Sequence, residues 1–180
     1  MDSIIRILNA NSTVYAALKI VKQLDLNDCW IGAGFIRNRI WDYVHTIETP
    51  ITDSDVDVIF YNKENTSKEY EESIENTLFT ISPDIPWSVK NQARMQLKYH
   101  HEYSTSFEAI SYWPETATCI AARLDSENSL EIIAPYGYDD LVNLLLRPTP
   151  SIHHSVFISR IHEKKWLSKW PKLKIVAVEE

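Results

Sequence analysis

Three aspartates, Asp53, Asp55 and Asp57, stand at alternate positions in the segment ITDSDVDVIF, where a polar loop runs into apolar residues. This alternation predicts a β-strand that carries Asp55 and Asp57 on one face, with Cα atoms about 6.6 Å apart, while Val56 and Val58 face the core. Like charges this close repel each other, and burying them is costly without a cation. Mg²⁺ is bound by one or two carboxylates and completes its coordination with water and phosphate oxygens. The pair is therefore a candidate metal site, and the alternative is a solvated strand end.

A glycine-containing turn precedes this strand, in the segment WIGAGFIRN. Gly32 and Gly34 let the backbone approach a ligand closely, and the amide groups at the start of a following helix favour an anion such as phosphate. Two of the three glycines in the chain lie in this turn. The turn lacks the third glycine of a dinucleotide fingerprint, and ordinary turn formation is the alternative. Together with the two carboxylates, the turn predicts a nucleotide–magnesium site.

Basic side chains occur at two places where they can contact such a nucleotide. Arg37 lies in the first turn of the predicted helix, where it either contacts phosphate or pairs with one of the two aspartates. Lys90, Asn91 and Arg94 follow in the segment WSVKNQARMQ. A lysine charge and the arginine fork suit a triphosphate or an acidic acceptor, and the alternative is a solvated helix start capped by Asn91. Further along, Trp113 and Glu115 are candidates to line the pocket.

The elements that must position these residues alternate between strand and helix before ending in a hairpin. Periodicity and turn residues predict strands over 29–32, 55–61, 87–90, 117–124 and 130–134. They predict a first helix capped by Asp2, a second capped by Ser12 or Thr13, and further helices over 33–44, 67–81, 138–146 and 152–170. Helical segments are also expected between the strand at 87–90 and residue 112. We therefore expect an α+β fold, a small mixed β-sheet flanked by helices.

Length and composition indicate a single globular domain over residues 1–180, with 44% hydrophobic and 24% charged residues. No apolar run approaches the ~20 residues of a membrane span, and the N-terminus lacks the regions of a signal peptide. Cys29 and Cys119 have no CxxC or Cys/His spacing and are expected to be buried thiols. We therefore expect a cytoplasmic protein with no membrane association and no obligate protein partner.

The C-terminal part is basic, although the protein carries a formal net charge of −7. Residues 147–174 contain seven basic residues and one acidic residue, whereas residues 1–146 contain 11 basic and 22 acidic residues. We predict that 147–174 is a helical extension packed on the domain through an apolar stripe of Ile152, Val156, Ile161 and Trp170. Its exposed lysines either attract an anionic acceptor, for which RNA is one candidate, or only maintain solubility.

The segment that contains the glycine turn and the aspartates resembles the nucleotidyltransferase superfamily, which includes polymerase β-like enzymes and the head domains of CCA-adding enzymes. AGFIRN is similar to the GGxVRD motif of the CCA-adding group, DVDV is the paired motif, and LEI places Glu131 as the third carboxylate. Ala33 and Asn38 stand where that motif has glycine and aspartate. The 20 residues between Gly34 and Asp55 are more than the superfamily usually shows. Residues 28–172 resemble still more closely a group of small bacterial nucleotidyltransferase-family proteins with unassigned substrates.

This resemblance implies a nucleotidyltransferase-like fold and transfer of a nucleoside monophosphate from an NTP to an acceptor, with release of pyrophosphate. The catalytic residues, which would also hold two Mg²⁺ ions with Mn²⁺ as an alternative, would be Asp55, Asp57 and Glu131. The residues that bind the nucleotide would be Gly32, Ala33, Gly34, Arg37, Lys90, Asn91 and Arg94. The acceptor would be a small molecule, an RNA or a protein. Two other functions stay open: a non-catalytic nucleotide-binding or regulatory module, and a nucleic-acid-binding protein that uses the basic C-terminal helix.

Overall fold

The computed structural model describes residues 2–176; residues 1 and 177–180 of the predicted domain lie outside the described residues. The helices are α1 Asp2–Ala10, α2 Ser12–Lys22, α3 Ala33–His45, α4 Lys68–Ile81, α5 Gln92–Tyr99, α6 Ser106–Ile110, α7 Asp139–Val142, α8 His154–Lys164 and α9 Trp166–Lys169. The strands are β1 Trp30–Gly32, β2 Val56–Phe60, β3 Trp87–Asn91, β4 Ala121–Leu124, β5 Leu130–Ile133, β6 Leu145–Leu146 and β7 Lys174–Ile175. Within the described part, every helix is too short or too polar to cross a membrane.

Five strands form one mixed sheet in the order β3-β2-β1-β4-β5. β2 and β3 are parallel, whereas β1 is antiparallel to both β2 and β4, and β4 is antiparallel to β5. The helices of the described chain flank this sheet, which confirms the predicted α+β class. In the central strand, Gly32 pairs with Asp57 on one side and with Ala121 on the other. The end of β1 therefore joins the glycine turn to the strand that carries the aspartates.

The two faces of the sheet differ in what they bury. On one face, alternate residues of β2 enter the main core, where Val56, Val58 and Phe60 are fully buried together with side chains of α1 to α4. On the other face, Trp30 and Ile59 form a smaller cluster that includes Ile110 of α6. Asp57 lies on this second face because its position alternates with those of the buried valines. The predicted strand parity thus directs its carboxylate away from the main core.

The C-terminal region departs from the predicted helices in two ways. The helix expected over 138–146 ends at Val142, and Leu145–Leu146 instead pairs in parallel with Lys174–Ile175 as a two-stranded sheet. The single helix expected over 152–170 is divided at Lys165, whose φ of 52° is left-handed. A helix cannot continue through a residue in that conformation, so the two pieces bury different sides.

This break also corrects the predicted apolar stripe. Phe157 and Ile161 are the buried positions of α8, whereas Val156 is 53% exposed. Trp166 of α9 and Trp170, which directly follows that helix, pack edge-on against Trp41 of α3, with ring centroids 5.7 and 5.1 Å away. The extension is thereby packed on the helix that begins at the glycine turn.

Candidate active site

The two aspartates occupy the start of β2, next to the glycine turn. Asp55 directly precedes the strand and is exposed, whereas Asp57 lies within it, is partly buried and pairs with Gly32. Burial, and then the charge of Asp55, raise the pKa of Asp57 to about 6, while Lys90 and Arg37 act in the opposite direction. The raised pKa shows that the negative charge of this pair is only partly compensated by the protein.

Gly32, Ala33 and Gly34, at the junction of β1 and α3, differ in how strongly their surroundings restrict the residue type. A Cβ atom at Gly32 would lie 2.6 Å from the ring of Trp113, so this aromatic side chain requires glycine. Ala33 adopts a left-handed φ of 54°, and its N–H donates to the carbonyl of Ile120 at 3.0 Å. A Cβ atom at Gly34 would make only ordinary contacts, 3.5 Å or more from its neighbours. No side chain of the described residues caps the helix, so the amide groups that follow Ala33 remain available to an anion.

Arg37 is buried at the contact between α3 and the C-terminal extension. Its guanidinium lies between the rings of Trp41 and Trp166, 4.4 and 4.3 Å from their centroids. It donates to Thr118 Oγ1 at 2.6 Å and to Asn38 Oδ1 at 2.8 Å. Burial lowers the pKa of Arg37 to about 10, so the side chain is still charged at neutral pH. Its partners are therefore neutral groups rather than the aspartates.

Two adjoining cavities share Asp57 as a wall residue. The polar cavity, of about 330 Å³, is lined by residues that include Gly34, Arg37, Asp55, Asp57, Lys164 and Lys169. The aromatic cavity, of about 680 Å³, is lined by residues that include Asp57, Lys90, Lys98, Tyr99, Tyr112 and Trp113. Both cavities are lined by Ala33, Asp57, Thr118 and Arg160. A ligand at Asp57 can therefore extend into either one.

Lys90 and Arg94 both lie beside this site, but they differ in whether their charge is paired within the protein. The parallel register pairs Asp57 with Ser88 and Ile59 with Lys90, so Lys90 shares the face of Asp57. Arg94 also lines the aromatic cavity, but it donates from Nε and Nη2 to the buried carboxylate of Glu71, at 2.9 and 2.6 Å. Lys90 forms no salt bridge among the described residues and donates only to the Val89 carbonyl, at 3.0 Å, so it can turn to an anion, whereas Arg94 is held by Glu71.

Asn91 does not take part in either cavity, which corrects its predicted role in nucleotide binding. It is fully buried and caps α5 by accepting from the N–H of Ala93 at 3.1 Å. Its amide also donates to the carbonyls of Asn62 and Asn65, at 2.7 and 2.9 Å. These bonds occupy both ends of the amide, so Asn91 joins a loop to the helix start.

Glu131 is not brought to the aspartates, which corrects its predicted role as the third carboxylate. It lies on the edge strand β5, about three strand spacings or roughly 14 Å from β2. Its carboxylate accepts from Nε of Arg123 at 2.5 Å, and both side chains are about 40% exposed. Across residues 2–176, no cluster of three or more His, Cys, Asp and Glu side chains could hold a metal ion.

The C-terminal extension contributes individual residues to the site that were not among the predicted site residues. Arg160 of α8 lines both cavities and donates to the fully buried carboxylate of Glu115 at 2.7 Å. Lys164 lines the polar cavity, and Lys169 forms an ion pair there with Asp53. The basic composition of residues 147–174 was the available signal, but which lysine faces the site depends on the break at Lys165.

The donor set nevertheless fits Mg²⁺, because this ion needs only one or two carboxylates when phosphate oxygens and water supply the rest. Asp55 and Asp57 provide such a pair, at the wall of a polar cavity that also contains Arg37 and Lys164. Mn²⁺ accepts the same oxygen donors. The site could therefore hold a divalent ion together with a phosphate chain.

A family model described as nucleotidyltransferase matches residues 19–175. The chain belongs to this nucleotidyltransferase family. It is also similar to an NMR structure that is described as revealing a CCA-adding enzyme head domain, with 30% sequence identity and a TM-score of 0.86. The match covers 99% of this chain and 96% of that one. The protein is therefore a nucleotidyltransferase enzyme with the fold of that head domain.

Other solved structures show the same fold at lower identity. A Thermotoga maritima CCA-adding enzyme complexed with tRNA is 15% identical, with a TM-score of 0.57, over 91% of this chain and 38% of that one. A CCA-adding enzyme in complex with CTP is 14% identical, with a TM-score of 0.58, over 96% of this chain and 43% of that one. The nucleotidyltransferase thus spans about two fifths of these enzymes. No curated protein matches its sequence.

Proposed function

We propose that this nucleotidyltransferase moves a nucleoside monophosphate from an NTP to an acceptor and releases pyrophosphate, with Mg²⁺, or Mn²⁺ in its place, held by Asp55 and Asp57. The observation that carries the proposal is the pairing of Gly32 with Asp57 in adjacent strands. This pairing puts the uncapped start of α3 beside two carboxylates whose charge the protein compensates only in part. An anionic phosphate chain and a divalent cation together satisfy both groups.

The residues of the polar cavity have separate roles in this proposal. The amides at the start of α3 and the side chains of Arg37 and Lys164 bind the phosphate chain, and Arg160 stabilises the charge that develops near Asp57. When bound, the metal ions neutralise phosphate charge and lower the pKa of an acceptor oxygen that carries a proton. Asp55 and Asp57 orient the reacting phosphate by fixing the position of the cation.

The first test replaces each aspartate with its isosteric amide. Asp55→Asn and Asp57→Asn should each lower the rate of NTP-dependent transfer by roughly two to three orders of magnitude, because a preorganised electrostatic group is lost. Asp84→Asn, at an exposed loop residue, is the matched control and should leave the rate unchanged. Retention of the wild-type rate by either site variant at saturating Mg²⁺ would show that the metal assignment is wrong.

The second test asks whether the protein binds a nucleotide. NTP and Mg²⁺ together should raise the melting temperature by about 5–10 °C at a hundredfold excess over Kd, and either one alone should do much less. The reason is that metal and triphosphate complete each other's coordination. A flat series across all four NTPs would contradict the proposal. A full shift without pyrophosphate release under any condition would instead favour a non-catalytic nucleotide-binding module.

A further inference from the structure

The aromatic cavity has the size and shape of a small-molecule site. Its volume of about 680 Å³ lies within the usual range of about 300–1,000 Å³ for such sites. Tyr99 and Val156 line it although they are 54% and 53% exposed, so the fold leaves apolar surface uncovered there. In its wall the rings of His101 and Tyr112 stack at 4.1 Å and 19°. A planar ring can pack against such a surface.

The charges around this cavity favour an anion, although the protein as a whole is acidic. Four cationic side chains line it, and among the described residues its one acidic side chain is Asp57. Arg94 and Arg160 are paired with Glu71 and Glu115. Lys90 and Lys98 form no salt bridge within residues 2–176, since Lys90 donates to the Val89 carbonyl and Lys98 lies over the Tyr99 ring. These two ammonium groups are available to an anionic ligand.

The in-line geometry of nucleotidyl transfer distinguishes the two cavities. The polar cavity holds the start of α3 with Arg37 and Lys164, which suit the leaving pyrophosphate. The acceptor must attack from the side opposite the leaving group. Because Asp57 and Arg160 line both cavities, the two cavities meet at the proposed metal site, and a phosphate chain in the polar cavity leaves the aromatic cavity as the adjoining space for the acceptor. The acceptor therefore enters through the aromatic cavity.

The charges of the aromatic cavity also favour one kind of attacking oxygen. No carboxylate other than Asp57 lines the aromatic cavity in the described chain, and Glu131 lies elsewhere. A neutral hydroxyl would need a base or a metal-lowered pKa, whereas an oxygen that is ionised at neutral pH needs neither and is attracted by Lys90 and Lys98. We propose that the acceptor is a small molecule whose planar ring carries a phosphomonoester or a carboxylate. This inference rests on the proposed nucleotidyl transfer and specifies its second substrate.

The step balances without a proton transfer. A lone pair of the anionic oxygen forms a bond to the α-phosphorus, and the bond from that phosphorus to the bridging oxygen of the β-phosphate breaks. The electron pair of the broken bond leaves with pyrophosphate. The product is a diphosphate when the acceptor is a phosphomonoester, and an acyl nucleotidate when it is a carboxylate. Lys90 lies beside Asp57 on the same face of the sheet, where it can hold the attacking anion.

Binding is tested first, by calorimetry on the full chain without metal or NTP. The probes are naphthyl phosphate, naphthoate and naphthyl methanol, which share one ring and differ in charge. At least one of the two anions should bind at least tenfold more tightly than the alcohol. Lys98→Glu and Tyr112→Ala should each weaken that binding about tenfold. Lys19→Glu, which makes the same charge change on the exposed side of α2, should not. Equal binding of all three probes, or no effect of Lys98→Glu, would overturn the inference.

Pyrophosphate release with NTP and Mg²⁺ is then measured with each probe and with a tRNA-length RNA. Acceleration by naphthyl phosphate or by naphthoate supports the inference and identifies which anion is used. Acceleration by RNA alone, or binding of the anions without acceleration, overturns the inference while the proposed function stands. If NTP and Mg²⁺ give neither a thermal shift nor pyrophosphate release, the proposed function fails and the inference fails with it.

Discussion

Ala33 is held in a conformation that its side chain disfavours. Its φ of 54° lies in the left-handed region, where an L-residue other than glycine loses about 1–2 kcal/mol. The motif that the segment resembles has glycine at this position. The strained residue lies between Gly32, which Trp113 requires to be glycine, and the first free amides of α3. Strain is thus located at the turn that the proposed phosphate site uses.

Ala33→Gly should therefore stabilise the protein, by about 0.5–1 kcal/mol once the greater flexibility of glycine in the unfolded chain is subtracted. The free energy of unfolding in urea measures the change. Ala16→Gly in the exposed middle of α2 is the control, and it should destabilise by about 1 kcal/mol because its backbone is helical. Equal losses of stability in the two variants would contradict the assigned strain.

Asp57→Asn should stabilise the metal-free protein at about pH 7.5 and have little effect at about pH 3.5. Burial and the charge of Asp55 raise the pKa of Asp57 from 3.8 to about 6. Between these values the folded state binds more protons than the unfolded state, so stability is lost as the pH rises through the window. The difference limits the gain to about 3 kcal/mol, and partial exposure of the side chain reduces it.

Urea unfolding with a chelator at both pH values measures this effect, and Asp84→Asn is the control at an exposed aspartate. A gain that is equal at both pH values would show that the amide stabilises by packing rather than by removing a charge.

The sequence predicted the aspartates better than it predicted their partners. The spacing of Asp55 and Asp57 can be recognised within one short segment. Because alternate residues of a strand face opposite sides, both side chains are predicted to point away from the core. Glu131 has the same local pattern, but the hairpin places it at the sheet edge beside Arg123. The role of Asn91 could not be predicted from its own segment, because its buried side chain bonds to a loop that is distant in sequence.

The strands and the helix after the glycine turn were predictable because periodicity and turn residues agree there. The C-terminal elements were not, because a tertiary contact overrides local pattern. LVNLLL is apolar enough for a helix, but α7 ends and Leu145–Leu146 pairs with Lys174–Ile175. Likewise, the helix expected over 152–170 is broken at Lys165, and Trp166 of α9 and the following Trp170 pack against α3.

Trp170→Phe should test how firmly α9 is attached. The indole N–H of Trp170 donates to Oδ1 of the buried Asp42 at 2.8 Å. Phenylalanine keeps most of the apolar contact but leaves that carboxylate oxygen without its donor, so we expect a loss of about 1–3 kcal/mol. Thermal unfolding measures the loss. Leu167→Ala, at a partly exposed position on the same helix, should cost less; an equal cost would show that the indole bond is not what holds α9.

The distribution of charge over the protein weighs against a large nucleic-acid surface. The basic C-terminal region is engaged within the fold, since Arg147, Arg160 and Lys169 pair with Asp140, Glu115 and Asp53. Nζ of Lys172 donates to the carbonyl of Val44 at 2.8 Å. Residues 147–174 contain six more basic than acidic residues, but these bonds leave few of the basic side chains unpaired on the surface. The structure favours the smaller role for this region, which is to complete the site through Arg160 and Lys164.

RNA binding should consequently show a shallow dependence on salt. Lys164, Lys165 and Lys174 are the lysines of the extension that take no part in the salt bridges and bonds described above. A plot of the logarithm of the RNA-binding constant against the logarithm of salt concentration should therefore have a slope no steeper than about −3. Each phosphate that a lysine neutralises contributes about −0.7 to −0.9 to this slope. Replacing Lys165 and Lys174 together with glutamate should bring that slope close to zero. The same double variant should leave pyrophosphate release with a small acceptor unchanged, since neither residue lines the two cavities.

Fluorescence anisotropy with a tRNA-length RNA measures the slope. A value near −6 or steeper in the wild type would show that a longer basic surface follows the phosphate backbone, and RNA would then be the better candidate for the acceptor.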